Sequence, residues 1–254
     1  MNELTVATLN CSNLTLSGGR RLEFVARTIR RSGCHVVCLQ EVWQREPVLE
    51  RLQSEYLPEF SERVQWPGND SRGMGLALLS RLPVLDSCSH IDLRFPHPTR
   101  PGASSAFSRD VVRVDVQCWG ERWSLYNLHL KSMRGGESAG LQRWAEVEAL
   151  LGLLEGEQQG RRPHLLLGDF NDGRHSSVVE RLHERYENSL EQATFPVKGP
   201  RHQFDYVLMP PELKPRLLHS RTWFESRASD HALLSATFCP PASAPLSIPS
   251  DRPE

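Results

Sequence analysis

Lysine is almost missing from this chain: Lys131, Lys198 and Lys214 are three among 30 basic residues, and arginine supplies the rest. Net charge is nearly missing too. Thirty basic side chains against 31 acidic ones leave a formal charge of -1, which excludes the global positive field that draws many proteins onto nucleic acid. A polyanionic partner therefore has to be held by local charge. The planar arginine fork suits bidentate phosphate contacts, although GC-rich coding produces the same bias without functional meaning. The six cysteines, Cys11, Cys34, Cys38, Cys88, Cys118 and Cys239, form no CxxC pair and no Cys/His group at zinc spacing. That excludes a disulfide framework and a zinc-finger site, and the thiols are expected to be reduced and mostly in the core. No run approaches the ~18 consecutive apolar residues needed to cross a bilayer, and MNELTVATLN at the start has neither a basic nor an apolar export segment. The expectation is a cytoplasmic protein without membrane insertion, and a monomer.

What is present suits a folded domain: 254 residues, 39% of them hydrophobic, enough for a normal core. Leu4 to Leu9 reads as a buried strand, residues 20 to 32 as a helix stopped by Gly33, and His35 to Leu39 as a second buried strand. A helix from Pro47 to Tyr56 follows. Short strands then succeed one another at Phe60 to Val64, Gly75 to Ser80, Val84 to Leu93, Asp110 to Cys118 and Trp123 to Leu130. Between them lies Arg94 to Arg109, rich in Pro, Gly and Ser, which reads as an irregular surface loop. Gly73 to Gly75 reads as a tight turn and not as a nucleotide cradle.

Leu141, Trp144, Val147, Leu151 and Leu154 repeat at helical spacing and predict an amphipathic helix over Glu137 to Leu154. Beyond it come a strand His164 to Leu167, a helix Ser176 to Tyr186, and strands Phe204 to Leu208 and Ala232 to Phe238 around a less regular stretch. Residues 1–239 are expected to form one α/β (α+β) domain, a four-layer sandwich of two packed mixed β-sheets with helices on the outer faces. Residues 240–254, PASAPLSIPSDRPE after the first proline, are expected to be a disordered tail.

Six strands end, or nearly end, in an acid, amide or imidazole: Asn10; Glu41; Asn127 with His129; Asp169 with Asn171; Asp205; Asp230 with His231. One Asp after an apolar strand is a turn former or helix cap, but six such ends point to one cleft at the sheet edges. Hard oxygen donors without a cysteine set select Mg²⁺, with Mn²⁺ able to substitute. Such an ion polarises a phosphate and neutralises charge that develops in displacement.

The segments TLN (Thr8 to Asn10), LQEVW (Leu39 to Trp43), GLALLSRLP (Gly75 to Pro83), YNLHLKS (Tyr126 to Ser132), LLLGDFND (Leu165 to Asp172), FDYVL (Phe204 to Leu208) and SDHALL (Ser229 to Leu234) resemble, in order, those of the endonuclease/exonuclease/phosphatase superfamily with the pancreatic-deoxyribonuclease fold. The resemblance implies Glu41 as principal metal ligand with Asn10 and Asp230 beside it. It implies Asp169 as the residue that orients or deprotonates the attacking water, Asn171 as a phosphate-oxygen contact, and His231 paired with Asp205 as the acid/base unit. Asn127 and His129 are implied on the opposite wall. A histidine at His129 leans away from the abasic-site endonucleases, which carry tyrosine there.

The superfamily's substrates are diverse, so the fold does not name one. The expected activity is hydrolysis of phosphodiester bonds by a Mg²⁺-dependent nuclease acting on DNA. The alternatives are a phosphatase or a phospholipid or sphingomyelin phosphodiesterase of the same superfamily. A pure binding module is disfavoured because no catalytic position has been lost. Phosphate contacts are expected from Arg72, Arg100, Arg109, Asn127 and Lys131, and base stacking from Trp66, Phe95 and Phe107. Lys131 can also be read as a solvated strand end, Arg109 as a salt-bridge partner of Asp110 or Asp115, and the aromatics as anchors.

Overall fold

In a computed structural model, the residues described are 1–67, 73–90, 93–107, 110–157 and 162–242. Arg72 and Arg109 therefore lie outside the described residues, as does most of the expected tail.

Two six-stranded mixed sheets form the centre. The first contains β1 (Leu4–Leu14), β2 (Val36–Trp43), β3 (Glu62–Trp66), β4 (Met74–Ser80), β13 (Leu217–Trp223) and β14 (Leu233–Phe238), in the order β13-β14-β1-β2-β4-β3. The second contains β5 (Val84–Ser89), β8 (Val111–Cys118), β9 (Glu121–His129), β10 (His164–Asp169), β11 (Glu187–Asn188) and β12 (Asp205–Met209), in the order β11-β12-β10-β9-β8-β5. The helices are α1 (Arg21–Ser32), α2 (Val48–Arg51), α3 (Gly136–Glu157) and α4 (Ser177–His183). Strands β6 (Arg94–Pro96) and β7 (Ser104–Ala106) make a separate hairpin.

Strand alternation divides the core into layers, because successive side chains point to opposite faces. Leu165 and Leu167 join Val6, Val36, Leu76, Val114 and Trp123 between the sheets. Their neighbours Leu166 and Leu128 face α3 and α4. Ala7, Leu9, Val37 and Leu39 face α1 and α2. Helix, sheet, sheet, helix is the four-layer order expected from the sequence.

Three expectations change. The stretch from Arg94 to Arg109 is not irregular throughout: it holds the β6–β7 hairpin, whose Phe95 and Phe107 are buried and packed edge-to-face at 5.8 Å. Both rings belong to the core under α3 and cannot stack on bases, and Trp66 packs against the inter-sheet core. In α3, Leu141 and Trp144 are exposed, whereas Arg143 and Glu146 are buried. The hydrophobic pattern missed that helix face because its inward side is polar near the N-terminus. The less regular stretch holds β13, an edge strand with Leu218, His219 and Arg221 exposed.

Candidate active site

The polar residues collect at one end of the sandwich because both central strands of the first sheet break register there. Leu9 and Cys11 face the helices on β1, and so does Leu14; on β2, Leu39 and Val42 do the same. Each odd step marks a bulge, and the pairing shifts between Asn10 and Leu14 and between Leu39 and Val42. Bulges re-aim side chains at functional sites. Ser12, Asn13 and Glu41 take left-handed φ angles of 48°, 59° and 57°. Glu41 would otherwise face the helix layer, and the costly backbone state turns it into the cleft.

In the second sheet, β10 runs parallel to β9 with Gly168 opposite Leu128 and Asp169 opposite His129. A Cβ on Gly168 would sit 1.9 Å from the Leu128 carbonyl oxygen, so only glycine lets β10 approach β9 this closely. Asp169 then accepts from the Asn171 N–H at 2.8 Å, and Asn171 donates to the Leu130 carbonyl at 3.1 Å.

These elements enclose a cleft of about 480 Å³ lined by Asn10, Glu41, His129, Asp169, Asn171, Asp230 and His231, together with Asn13, Arg134, Phe195, His202 and Phe204. Asn10 donates to Asp169 Oδ2 at 2.8 Å, and Glu41 Oε2 accepts from the Asn13 N–H at 3.0 Å. His129 Nε2 lies 3.6 Å from Asp169 Oδ2 and 3.9 Å from Glu41 Oε1. His231 Nδ1 is 2.9 Å from Asp205 Oδ2, and its Nε2 is 3.9 Å from Asp169 Oδ2. Ser229 holds this turn, donating to the Asn10 carbonyl at 2.6 Å and accepting from the His231 N–H at 3.1 Å.

Burial pushes the Asp169 carboxyl up to about 7, against a downward pull from His231. Burial acts downward on the His231 imidazole, but Asp205, Asp169 and Asp230 reverse it and hold the ring at about 10. His231 is therefore an imidazolium at neutral pH, fixed between two carboxylates.

Asp169, Asp205 and His231 lie close enough to surround an ion, but the His231 ring already bridges the two carboxylates, with Nδ1 2.9 Å from Asp205 and Nε2 3.9 Å from Asp169. Asp205 Oδ1 is buried and, among the described residues, has no hydrogen-bond partner. Glu41 keeps free room in the cleft, 20% exposed at its side chain. With Asn10 and exposed Asp230 on the same wall, it offers hard oxygen donors and no thiolate, which fits Mg²⁺ or Mn²⁺.

The structure does not bring every expected residue to the cleft. Asn127 is buried beneath it: its oxygen accepts from Gln40 at 2.8 Å, and its amide donates to the carbonyls of Leu39 at 3.2 Å and Ala77 at 3.0 Å. It clamps the two sheets together and has no free atom for phosphate. Asp205 stands behind His231, Lys131 lines a neighbouring hollow, and Arg100 is exposed at the turn of the hairpin.

Sequence reasoning missed two groups. One is the polar face of α3: Arg143 donates to Asp172 at 2.8 Å and to the Lys131 carbonyl at 3.2 Å, while Glu146 accepts from the Lys131 N–H at 2.8 Å. The other is an aromatic shelf. Phe195 lies 4.7 Å from the His231 ring and 5.4 Å from Phe204, and His202 stacks on Phe204 at 5.2 Å. Phe204 opens the FDY segment and His202 lies two residues before it, which is the signal that could have found them.

The family model for the endonuclease/exonuclease/phosphatase family matches residues 7–231. No curated protein is a significant sequence match. Among solved structures, the human Nocturnin catalytic domain with bound sulfate is similar at 18% identity and a TM-score of 0.68, covering 93% of either chain. Sphingomyelinase C from Streptomyces griseocarneus is 16% identical with a TM-score of 0.70, over 94% of this chain and 100% of that one. A mannosyl-6-phosphatase from Bacteroides thetaiotaomicron VPI-5482 is 16% identical with a TM-score of 0.70, over 92% of this chain and 98% of the other. At these identities the likeness speaks for the fold alone.

Proposed function

The chain belongs to the endonuclease/exonuclease/phosphatase family and is a phosphoester hydrolase of it; on that premise we propose that it is a Mg²⁺-dependent phosphodiesterase acting on nucleic acid, with DNA as the first substrate to test. Glu41, Asn10 and Asp230 would hold the ion, with Asp169 close by. When bound, the metal polarises the scissile phosphate and offsets the charge that builds on its oxygens.

The protein's own groups supply the rest. Asp169 orients the attacking water and receives its proton, a task suited to a carboxyl raised toward neutral pH. The His231 imidazolium, oriented by Asp205, hydrogen-bonds a phosphate oxygen and can pass a proton to the leaving oxygen. His129 faces the same reacting centre from the opposite wall, between Glu41 and Asp169. The Asn171 amide is held by the Leu130 carbonyl at the cleft edge and offers its remaining N–H to a phosphate oxygen.

The observation that carries the nucleic-acid reading is the Phe195–Phe204–His202 shelf beside His231. Exposed His202 and half-buried Phe195, with buried Phe204 packed between them, offer a base a flat face at the edge of the phosphate site, and base–aromatic stacking contributes ~1–3 kcal/mol. A panel of plasmid DNA, single-stranded DNA, RNA, abasic duplex, bis-p-nitrophenyl phosphate, a sugar phosphate and sphingomyelin, each with Mg²⁺, tests this directly. Cleavage of polynucleotides well above the other esters supports the reading. Faster turnover of the sugar phosphate or of sphingomyelin contradicts it.

A further inference from the structure

A second hollow of about 420 Å³ adjoins the cleft, and Arg134 lines both. It lies between the β6–β7 hairpin, through Ser105 and Ala106, and the first turns of α3, through Ser138 and Gln142. Lys131 and Arg134 are its cations, and no acidic side chain among the described residues lines it. Neither cation has an ion pair or a side-chain hydrogen bond among the described residues. Arg113, Arg122, Arg143 and Arg181, by contrast, are all spent on carboxylates.

The stem that presents Lys131 is fixed. Leu130 N–H donates to the Asp169 carbonyl at 3.0 Å, and Glu146 and Arg143 grip both sides of the Lys131 backbone. Lys131 follows His129 of the cleft floor by two residues, ~7 Å of extended chain. Two unpaired cations, Lys131 on a fixed stem and exposed Arg134 in the turn after it, in a polar hollow beside the reacting position, make a place for an anion that does not react.

We propose that this hollow is a second phosphate subsite, where Lys131 and Arg134 hold an unreacted phosphate of the same nucleic-acid strand. The inference rests on the nucleic-acid reading above and deepens it: the preferred substrate is a strand with at least one further phosphate, not a lone diester. A phospholipid headgroup with one phosphate leaves the hollow empty, and its polar lining has no place for an acyl chain.

The test is binding in EDTA, so that chemistry does not enter. An eight-nucleotide single strand and versions with one neutral methylphosphonate at each position are titrated against wild type, Arg134→Ala, and Lys131→Ala/Arg134→Ala, with folding checked by circular dichroism. One methylphosphonate position near the middle should weaken wild type about tenfold and leave the double variant unaffected, as expected for coupled partners. The slope of log Kd against log salt should fall by roughly 1.4 in the double variant, about 0.7 for each lost contact to a single strand. Equal slopes, or methylphosphonate effects that add to the substitutions at every position, overturn the subsite. Adding Mg²⁺ afterwards separates the two proposals: a strand that binds in this pattern but is never cut defeats the phosphodiesterase reading and leaves the subsite standing.

Discussion

His231 Nδ1 lies 2.9 Å from Asp205 Oδ2, inside the protein and behind the cleft wall. The contact fixes the ring plane, aims Nε2 at the cleft and, with Asp169 on the other side at 3.9 Å, keeps the imidazole protonated.

Asp205→Asn should therefore cost about 10²-fold in kcat, on the scale of general acid/base effects, with a smaller change in KM. The double variant with His231→Ala should be little worse than His231→Ala alone, because the two residues serve one step. Losses that add in log kcat would show independent roles. The ring signals of His231 by NMR should not titrate between pH 5 and 8 in wild type and should do so in Asp205→Asn.

Stability should carry the same signature. The folded His231 pKa is raised from 6.5 to about 10, so its contribution is complete below pH 6.5 and is lost as pH rises through 10. Asp169, raised from 3.8 to about 7, acts with the same sign at lower pH. Tm of the metal-free protein should fall between pH 7 and 10, and the fall should be shallower in Asp205→Asn. Parallel curves for the two proteins would refute the pairing.

The buried Arg143–Asp172 pair joins α3 to the GDFND loop at 2.8 Å. Removing one partner leaves the other charge buried, so Arg143→Ala should lose about 3–5 kcal/mol of unfolding free energy in urea. It should also loosen the Lys131 backbone that Arg143 holds. A loss below 1 kcal/mol would mean that water replaces the guanidinium.

Asn127→Ala removes the clamp between the sheets and strands Gln40 together with the Leu39 and Ala77 carbonyls. At about 1–3 kcal/mol for each unsatisfied buried group, the loss should reach about 3 kcal/mol or more and be read in the urea midpoint. An unchanged midpoint with a raised KM would place Asn127 in substrate binding instead.

The motif residues were legible because strand ends are legible: apolar runs stopping at Asn10, Glu41 and Asp169 mark where three strands reach the sheet edge, whereas Asp205 opens β12 and Asp230 precedes β14. Position within the edge was not. Asn127 and His129 are both near the end of β9, and period-two alternation buries both; only the cross-sheet partners separate the clamp from the cleft residue. Phe95 and Phe107 lie in a Pro/Gly-rich stretch whose composition hides the hairpin that buries them. Arg143 and Glu146 break the apolar stripe that a helix pattern looks for, because their partners, Asp172 and Lys131, are 29 and 15 residues away in sequence.

The most direct measurement of the central claim is the rate of strand cleavage against Mg²⁺ concentration for wild type and Glu41→Gln. Glu41 reaches the cleft through a left-handed residue at a bulge, with its carboxylate held by the Asn13 N–H at 3.0 Å. Wild type should be inactive in EDTA and recover with Mg²⁺ or Mn²⁺, whereas Glu41→Gln should need about tenfold or more Mg²⁺ and remain orders of magnitude slower. Full activity of wild type in EDTA, or identical Mg²⁺ curves for the two proteins, would contradict it.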